Sequence, residues 1–301
     1  MENMVEYFPE YLQIETIAGK CSANCIMCNI KESPRKGEMT VTQYREILRK
    51  FQPFQDRLKY LNLQGLGETL LDSTIFTKIN IAKKTGFKGV GFATNATHLG
   101  VIERAYLLEL GLDTIIFSID GIKPETHENI RKVNYEKVLK NIMKFIEERN
   151  KRGKTKIIMR MIRQELNKDE WDEYREFWQK TLNPKFDDQV ACYDVWGQDI
   201  EDKRKERLKR LKKYEKKKEI CPDLLRRMLL FVNGDVILCC GNMKVMGNVL
   251  KSSPEDIYNG PYFNWYRSMM EAGSITKIDE CKNCQVILSS MDKIYVDAKG
   301  E

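Results

Sequence analysis

Cys21-Ser22-Ala23-Asn24-Cys25-Ile26-Met27-Cys28 crowds three thiols into one short stretch, directly after an apolar run from Tyr11 to Ala18 that ends at Gly19-Lys20. The run reads as a strand and the cysteines as the loop that leaves it. Such a set constrains the chain more than any other feature, because thiols this close either share one ligand or lie idle together. Three thiolates on one loop can hold three irons of a 4Fe–4S cube and leave the fourth iron open to bind and reduce a small molecule. A zinc loop, or three unrelated thiols, is the alternative that the spacing leaves open.

The rest of the composition narrows the choice. Nine cysteines occur in 301 residues, behind an acidic, mixed N-terminus with no signal-peptide pattern. They argue for metal or redox use rather than a disulfide framework, and a cytoplasmic location is the expectation. No run of 18 apolar residues predicts a membrane span. The two histidines, His98 and His127, give little support to a His-based metal site or triad. The net charge of +7 is concentrated between residues 201 and 219, where eleven Lys or Arg meet five Asp or Glu. That segment reads as an exposed linker helix with a thin apolar line through Leu208, Leu211 and Tyr214. With no aromatic residues interleaved beyond Tyr214, nucleic acid is not the expected partner.

Along the chain, Thr40 or Thr42 caps a helix that runs to about Lys50. Further strands are predicted at 58–63, 89–93, 114–119, 156–162 and 189–195, and helices at 75–84, 101–110, 133–152 and 169–181. Strands alternating with helices through short loops predict an α/β fold with a parallel sheet, open or barrel-like. The unusual residues fall at strand C-terminal ends: the Cys loop, Gln64-Gly65-Leu66-Gly67-Glu68, Thr94-Asn95 and Ser118-Ile119-Asp120-Gly121. In such folds this is the face where ligands bind. The Gly-Leu-Gly loop lacks the spacing of a dinucleotide fingerprint. Its close glycines admit a ligand to the backbone, and Glu68 is placed to accept from an ammonium group. After the charged helix the pattern changes to a hairpin, 228–232 and 235–238, through Asn233-Gly234. Cys239-Cys240, a turn at Gly247-Asn248, helices at 254–258 and 262–271, and Cys281-x2-Cys284 follow. So small a module suits a metal staple. The expected domains are a core over 1–200, the linker helix over 201–219 and the module over 220–301.

Together, the cysteine motif after the first strand, Gly67-Glu68 after the second, Thr94-Asn95 after the third and Ser118-Ile119-Asp120-Gly121 after the fourth resemble the radical S-adenosylmethionine (SAM) superfamily. The resemblance runs over nearly the whole chain and implies a partial (β/α)6 barrel. It implies that Cys21, Cys25 and Cys28 hold a 4Fe–4S cluster whose open iron is chelated by SAM. An electron from the cluster then cleaves SAM to a 5′-deoxyadenosyl radical that takes hydrogen from an unactivated C–H bond. By position, Gly67 and Glu68 would meet the methionyl amine, with Gln64 and Asn95 bordering the cofactor. Ser118 and Asp120 would meet the ribose or carboxylate, Arg160 the carboxylate, and Val195 and Trp196 the adenine. The loop departs from the family in one respect: Thr69 follows Gly67-Glu68 where many members have proline.

The tail resembles the twitch form of the SPASM domain, a small β-hairpin/α auxiliary-cluster module. Cys221, Gly234-x4-Cys239 and Cys281-x2-Cys284 supply four thiolates for one auxiliary 4Fe–4S cluster, and no cysteine beyond Cys284 provides for a second. A four-cysteine zinc site has acceptable spacing too. Cys192 reads as a small buried apolar residue. Cys240 is the catalytic candidate: its position resembles that of the proton-accepting residue in sulfatase-maturating enzymes, although a packing role, or an exchange of roles with Cys239, stays open. The layout resembles radical SAM dehydrogenases and epimerases of aminoglycoside pathways. It implies a sugar- or cyclitol-like small-molecule substrate, or a ribosomally made peptide, with flavodoxin or ferredoxin as the external electron donor. A zinc-stabilised, non-catalytic binding module is the remote alternative.

Overall fold

Alternation decides which way the first strand faces. In β1 (Tyr11–Ile14), Leu12 and Ile14 are buried and Tyr11 and Gln13 point to the opposite face. The buried set recurs in β4 (Tyr60–Asn62), β5 (Val90–Thr94), β6 (Thr114–Ser118), β7 (Lys156–Arg163) and β8 (Gln189–Asp194), through Leu61, Phe92, Ile115, Phe117, Ile157, Met159 and Val190. These side chains form one core with the apolar stripes of α1 (Val41–Phe51), α2 (Ile75–Lys84), α3 (Val101–Glu109), α5 (Tyr135–Arg152) and α6 (Trp171–Thr181). The computed structural model describes residues 7–194, 209, 211–213, 215–282, 284 and 294–297.

Strands β1, β4, β5, β6, β7 and β8 pair in parallel, in that order. This is the partial (β/α)6 barrel. Two short strands, β2 (Ile17–Ala18) and β3 (Gly37–Glu38), pair across the base of the Cys loop. Thr40 caps α1 with a full capping box, the Gln43 side chain returning to the Thr40 backbone. Between β6 and α5 lies α4 (Pro124–Arg131), a helix that the low apolar content of Pro124-Glu125-Thr126-His127 conceals in the sequence.

The C-terminal module extends the sheet. Helix α7 (Pro222–Arg226) leads into β9 (Arg227–Leu230), which lies parallel to β1 with Tyr11 opposite Arg227 and Gln13 opposite Leu229. β10 (Asp235–Cys239) and β11 (Asn242–Asn248) continue antiparallel, followed by α8 (Pro254–Tyr258) and α9 (Pro261–Glu271). Gly247-Asn248 is therefore not a turn: both residues end β11 and pair with Val236 and Asp235. A last strand, β12 (Ile294–Asp297), pairs antiparallel with β8 at the other edge, a contact no local pattern announced. Val195, Trp196 and residues 201–208 of the charged segment lie outside the described residues; residues 211–213 and 215–217 are helical. Among the described residues, no helix is long and apolar enough to cross a membrane.

Candidate active site

The inner face of the sheet is the concave one. One row of paired residues crosses it: Val245, Ile237, Leu229, Gln13, Asn62 and Gly91. Paired residues share a face, so the row is apolar on the module side and polar on the barrel side. The buried carbonyl oxygens of Asn62 and, two residues on, Gln64 accept no hydrogen bond among the described residues. Acceptors left this way fit a ligand that brings donors.

The rim above is knitted by backbone. Gly19 N–H donates to Leu66 O at 2.7 Å and Glu68 N–H to Lys20 O at 2.9 Å, so the Gly-Leu-Gly-Glu loop lies against the start of the Cys loop. A Cβ on Gly67 would stand 2.7 Å from Ile17 O, and one on Gly65 would strike the Glu15 side chain, so only glycine fits either place. Glu15 is a buried hub that the sequence did not single out. It accepts from Leu66 N–H at 2.9 Å, Val232 N–H at 3.2 Å and Arg35 Nε at 3.2 Å. It therefore ties the Gly loop, the module's hairpin and the exit of the Cys loop together. Arg35 also stacks on Phe231, 3.5 Å from the ring centre.

Glu68 faces inward with both oxygens engaged. Thr94 Oγ1 donates to it at 2.6 Å and Asn95 N–H at 2.8 Å. Burial pushes its carboxyl above the usual range. Asn95 turns its own amide to the cysteines, donating to Cys21 Sγ at 3.6 Å and Ser22 Oγ at 3.1 Å. Ser118, the last residue of β6, pairs with Arg160 in the middle of β7, with Arg160 Nη2 donating to Ser118 Oγ at 2.7 Å. Glu68, Asn95, Ser118 and Arg160 thus share the rim with Cys21.

Asp120 does not sit where expected. It is wholly buried, and both oxygens are taken, by Arg131 Nε at 2.6 Å and Ile162 N–H at 2.7 Å. It lies beneath the rim as a support for Arg131 and the β7 backbone. Arg131, unmarked in the sequence, reaches past it to donate to Cys25 Sγ at 3.7 Å. Its only sequence signal is the spacing from Ser118-Ile119-Asp120-Gly121 to the end of the next helix.

The three N-terminal thiols lie close together: Cys25 and Cys28 both raise the proton affinity of Cys21, and Cys28 that of Cys25. Burial is the larger cause and pushes Cys21 up to about 11. Cys221, Cys239, Cys281 and Cys284 form a second set with the same mutual influence, burial pushing Cys239 and Cys281 up to about 12. Thiols grouped in this way suit a cationic cluster that takes them as thiolates. Among the described residues, no three or more Cys, His, Asp or Glu side chains gather tightly enough for a single metal ion. A cube places each thiolate on a different iron and asks for wider spacing than zinc does. Cys192 is buried in the core, as expected of a small apolar residue.

Cys240 packs against Leu229, Phe231 and Ile237 on the inner face. Its Sγ donates to Asp223 Oδ2 at 3.2 Å, while Arg227 lies 3.6 Å from the other carboxylate oxygen. Asp223 is the third residue, after Glu15 and Arg131, that the sequence left unmarked.

Comparison with known proteins places this geometry. The radical SAM superfamily model matches residues 16–177, and that of SPASM, an iron-sulfur cluster-binding domain, matches residues 204–285. The chain belongs to the radical SAM superfamily. It is a member with a SPASM domain, whose cofactors are SAM and two 4Fe–4S clusters. Probable GTP 3′,8-cyclases of Methanothermobacter thermautotrophicus and Methanothermobacter marburgensis are each 29% identical to it over 121 residues, 40% of this chain. The match spans only 38% of the length of those curated relatives. Among solved structures, BtrN in complex with AdoMet and 2-DOIA superposes with TM-score 0.59 at 16% identity, covering 93% of this chain and 94% of that one. Streptococcus suis SuiB bound to S-adenosylmethionine gives 0.68 at 16% identity, covering 94% and 72%. anSMEcpe with bound AdoMet and Cp18Cys peptide gives 0.63 at 15%, covering 94% and 88%. At these identities the likeness is one of fold.

Proposed function

We propose that the enzyme oxidises or epimerises a hydroxyl-bearing small molecule, sugar- or cyclitol-like, held on the inner face between the two cysteine sets. Cys21, Cys25 and Cys28 hold the SAM-side cluster, and Cys221, Cys239, Cys281 and Cys284 the auxiliary one. When bound, the SAM-side cluster supplies the electron that cleaves SAM, and the resulting 5′-deoxyadenosyl radical removes hydrogen from the substrate. The chain's residues position the parts. Gly67 opens the backbone to the methionyl group, Glu68 presents an oxygen toward its amine, and Arg160 with Ser118 holds its carboxylate. Asn95 steadies the Cys21 thiolate. Cys240, beside Asp223 on the inner wall, either returns a hydrogen atom from its thiol to the opposite face of the substrate carbon, leaving a thiyl radical that an electron from the external donor and a solvent proton would restore, or serves with Asp223 to take the proton lost on oxidation, with the auxiliary cluster, when bound, as the acceptor of the remaining electron.

The observation that carries this reading is the pair of unmet acceptors, Asn62 and Gln64, on a concave face between two cysteine sets. They suit hydroxyl donors. BtrN, seen with AdoMet and 2-DOIA, supports it by sharing the fold over 93% of this chain and 94% of its own. A peptide-maturing role is the second reading. The apolar half of the row, running out to half-exposed Val245, favours it, as do the peptide-bound neighbours SuiB with SuiA and anSMEcpe with Cp18Cys. Flavodoxin or ferredoxin is the proposed electron donor.

The test is anaerobic reconstitution with SAM and dithionite in D2O, over panels of aminocyclitols and short peptides. 5′-Deoxyadenosine raised above the uncoupled level by a cyclitol supports the first reading. A response to peptides alone overturns it in favour of the second. A colourless, zinc-containing protein that leaves SAM intact overturns both.

A further inference from the structure

Arg131 ends α4 and meets the Cys loop twice, in two distinct ways. Its main chain is a platform: Asn24 N–H donates to Arg131 O at 3.2 Å and Ile26 N–H to Ile130 O at 3.0 Å, fixing the residues on both sides of Cys25. Its side chain passes between a carboxylate and a thiol, with Nε 2.6 Å from Asp120 Oδ2 and Nη1 3.7 Å from Cys25 Sγ. Asp120 is fixed from three further sides. Its other oxygen accepts from Ile162 N–H at 2.7 Å, its N–H donates to His127 Nδ1 at 3.2 Å, and its carbonyl accepts from Asn167 Nδ2 at 2.8 Å. Arg131 and Asp120 are both buried, so water screens neither charge.

We propose that Arg131, aimed by Asp120, is a positioning residue that sets the electron affinity of the SAM-side cluster through the Cys25 sulfur. The inference rests on Cys21, Cys25 and Cys28 being that cluster's ligands. One-electron reduction adds a negative charge shared between irons and thiolates, and a buried cation that hydrogen-bonds a thiolate stabilises the reduced form. The Asp120 carboxylate opposes this, but it is the guanidinium that contacts the sulfur, with the carboxylate bound to its other side. Asn95 offers Cys21 only a neutral amide. The assignment is asymmetric: among the described residues, Cys25 is the one ligand of the three with a charged donor.

The two members of the pair therefore have opposite signs, and a purely structural role would not. Holoenzyme, Arg131→Met, Arg131→Lys and Asp120→Asn are reconstituted anaerobically and titrated with dithionite against redox dyes, followed by EPR. The signal that changes on adding SAM belongs to the cluster with the open iron. In Arg131→Met the ratio of reduced to oxidised cluster at the parent's midpoint falls about tenfold, a shift of about 59 mV for a one-electron couple. In Asp120→Asn it rises. Arg131→Met keeps the main-chain carbonyl that holds the loop, so iron content stays at the parent value. If that variant loses its cluster, Asp120→Asn decides: an upward shift upholds the proposal and an unchanged midpoint overturns it. An unchanged midpoint in iron-replete Arg131→Met, or shifts of the same sign in the Met and Asn variants, overturns it as well. Failure of the underlying reading looks different: Cys25→Ala would keep full iron and the SAM-sensitive signal.

Discussion

Tyr11 and Arg227 stand opposite each other in parallel register, so the first strand of the barrel and the first strand of the module start at one level. The consequence is spatial. β10 runs back antiparallel to β9, which returns Cys239 and Cys240 toward that starting level, while the Cys21–Cys28 loop leaves beyond the far end of β1. Roughly 10 Å of β1 at about 3.3 Å per residue separates the two levels, and the inner face between them holds Gln13, Asn62 and Leu229.

Two independent cysteine sets predict two independent losses of iron. The reconstituted parent is expected to hold about eight irons per chain, as two four-iron clusters require. Cys25→Ala and Cys281→Ala should each hold about four. 5′-Deoxyadenosine should still form in Cys281→Ala and disappear in Cys25→Ala; iron assay and chromatography of the products check both.

At Gly67 the obstacle to a side chain is the Ile17 carbonyl, backbone that cannot swing away. Gly67→Ala is expected to displace the loop, keep the iron content and cut SAM cleavage at least tenfold. Glu68→Gln should act in the same direction, because it replaces one of two engaged acceptor oxygens with a donor that faces Thr94 Oγ1 or Asn95 N–H. Initial rates of 5′-deoxyadenosine formation measure both.

Lys78 and Asp72 form an ion pair 2.6 Å apart with neither side chain exposed. Removing one partner strands the other charge. Lys78→Met is expected to cost about 3–5 kcal/mol, and the double change Lys78→Met/Asp72→Leu to recover most of it. Urea denaturation midpoints of the three proteins provide the comparison.

Burial, helped by the nearby Arg131 charge, holds the His127 imidazole down to about 4. The unfolded chain restores the ordinary value near 6.5. Between those two pH values the unfolded state binds the extra proton, so stability is full above about 6.5 and declines as pH falls toward 4, by up to about 3 kcal/mol. His127→Asn, which keeps an acceptor for the Asp120 N–H, should flatten that slope. Denaturation of parent and variant at pH 7.5 and 5 tests it.

Cys240 distinguishes the two chemical outcomes. In an epimerase, product formed in D2O carries deuterium, and Cys240→Ala abolishes its incorporation. In a dehydrogenase, product carries none and is oxidised by two electrons. Mass spectrometry of the product reads both.

Much of this was legible in the linear chain because it depends on local spacing. Cysteines separated by three and then two intervening residues must share a loop; strands alternating with helices through short loops form a parallel sheet; polar residues at the ends of such strands gather on one rim. The barrel, and the strand ends that carry Glu68, Asn95 and Ser118, follow from such patterns. What only the tertiary structure decided are the contacts between segments far apart in sequence. β9 joins β1 across more than two hundred residues and β12 returns to β8, pairings that no residue-level periodicity encodes. Asp120 looked like a rim residue and is a support, because Arg131 and Ile162 claim both its oxygens. Glu15, Arg131 and Asp223 are single charged residues in ordinary surroundings of sequence. Their roles come from what the fold buries beside them, since removal from water is what makes one charge matter to another.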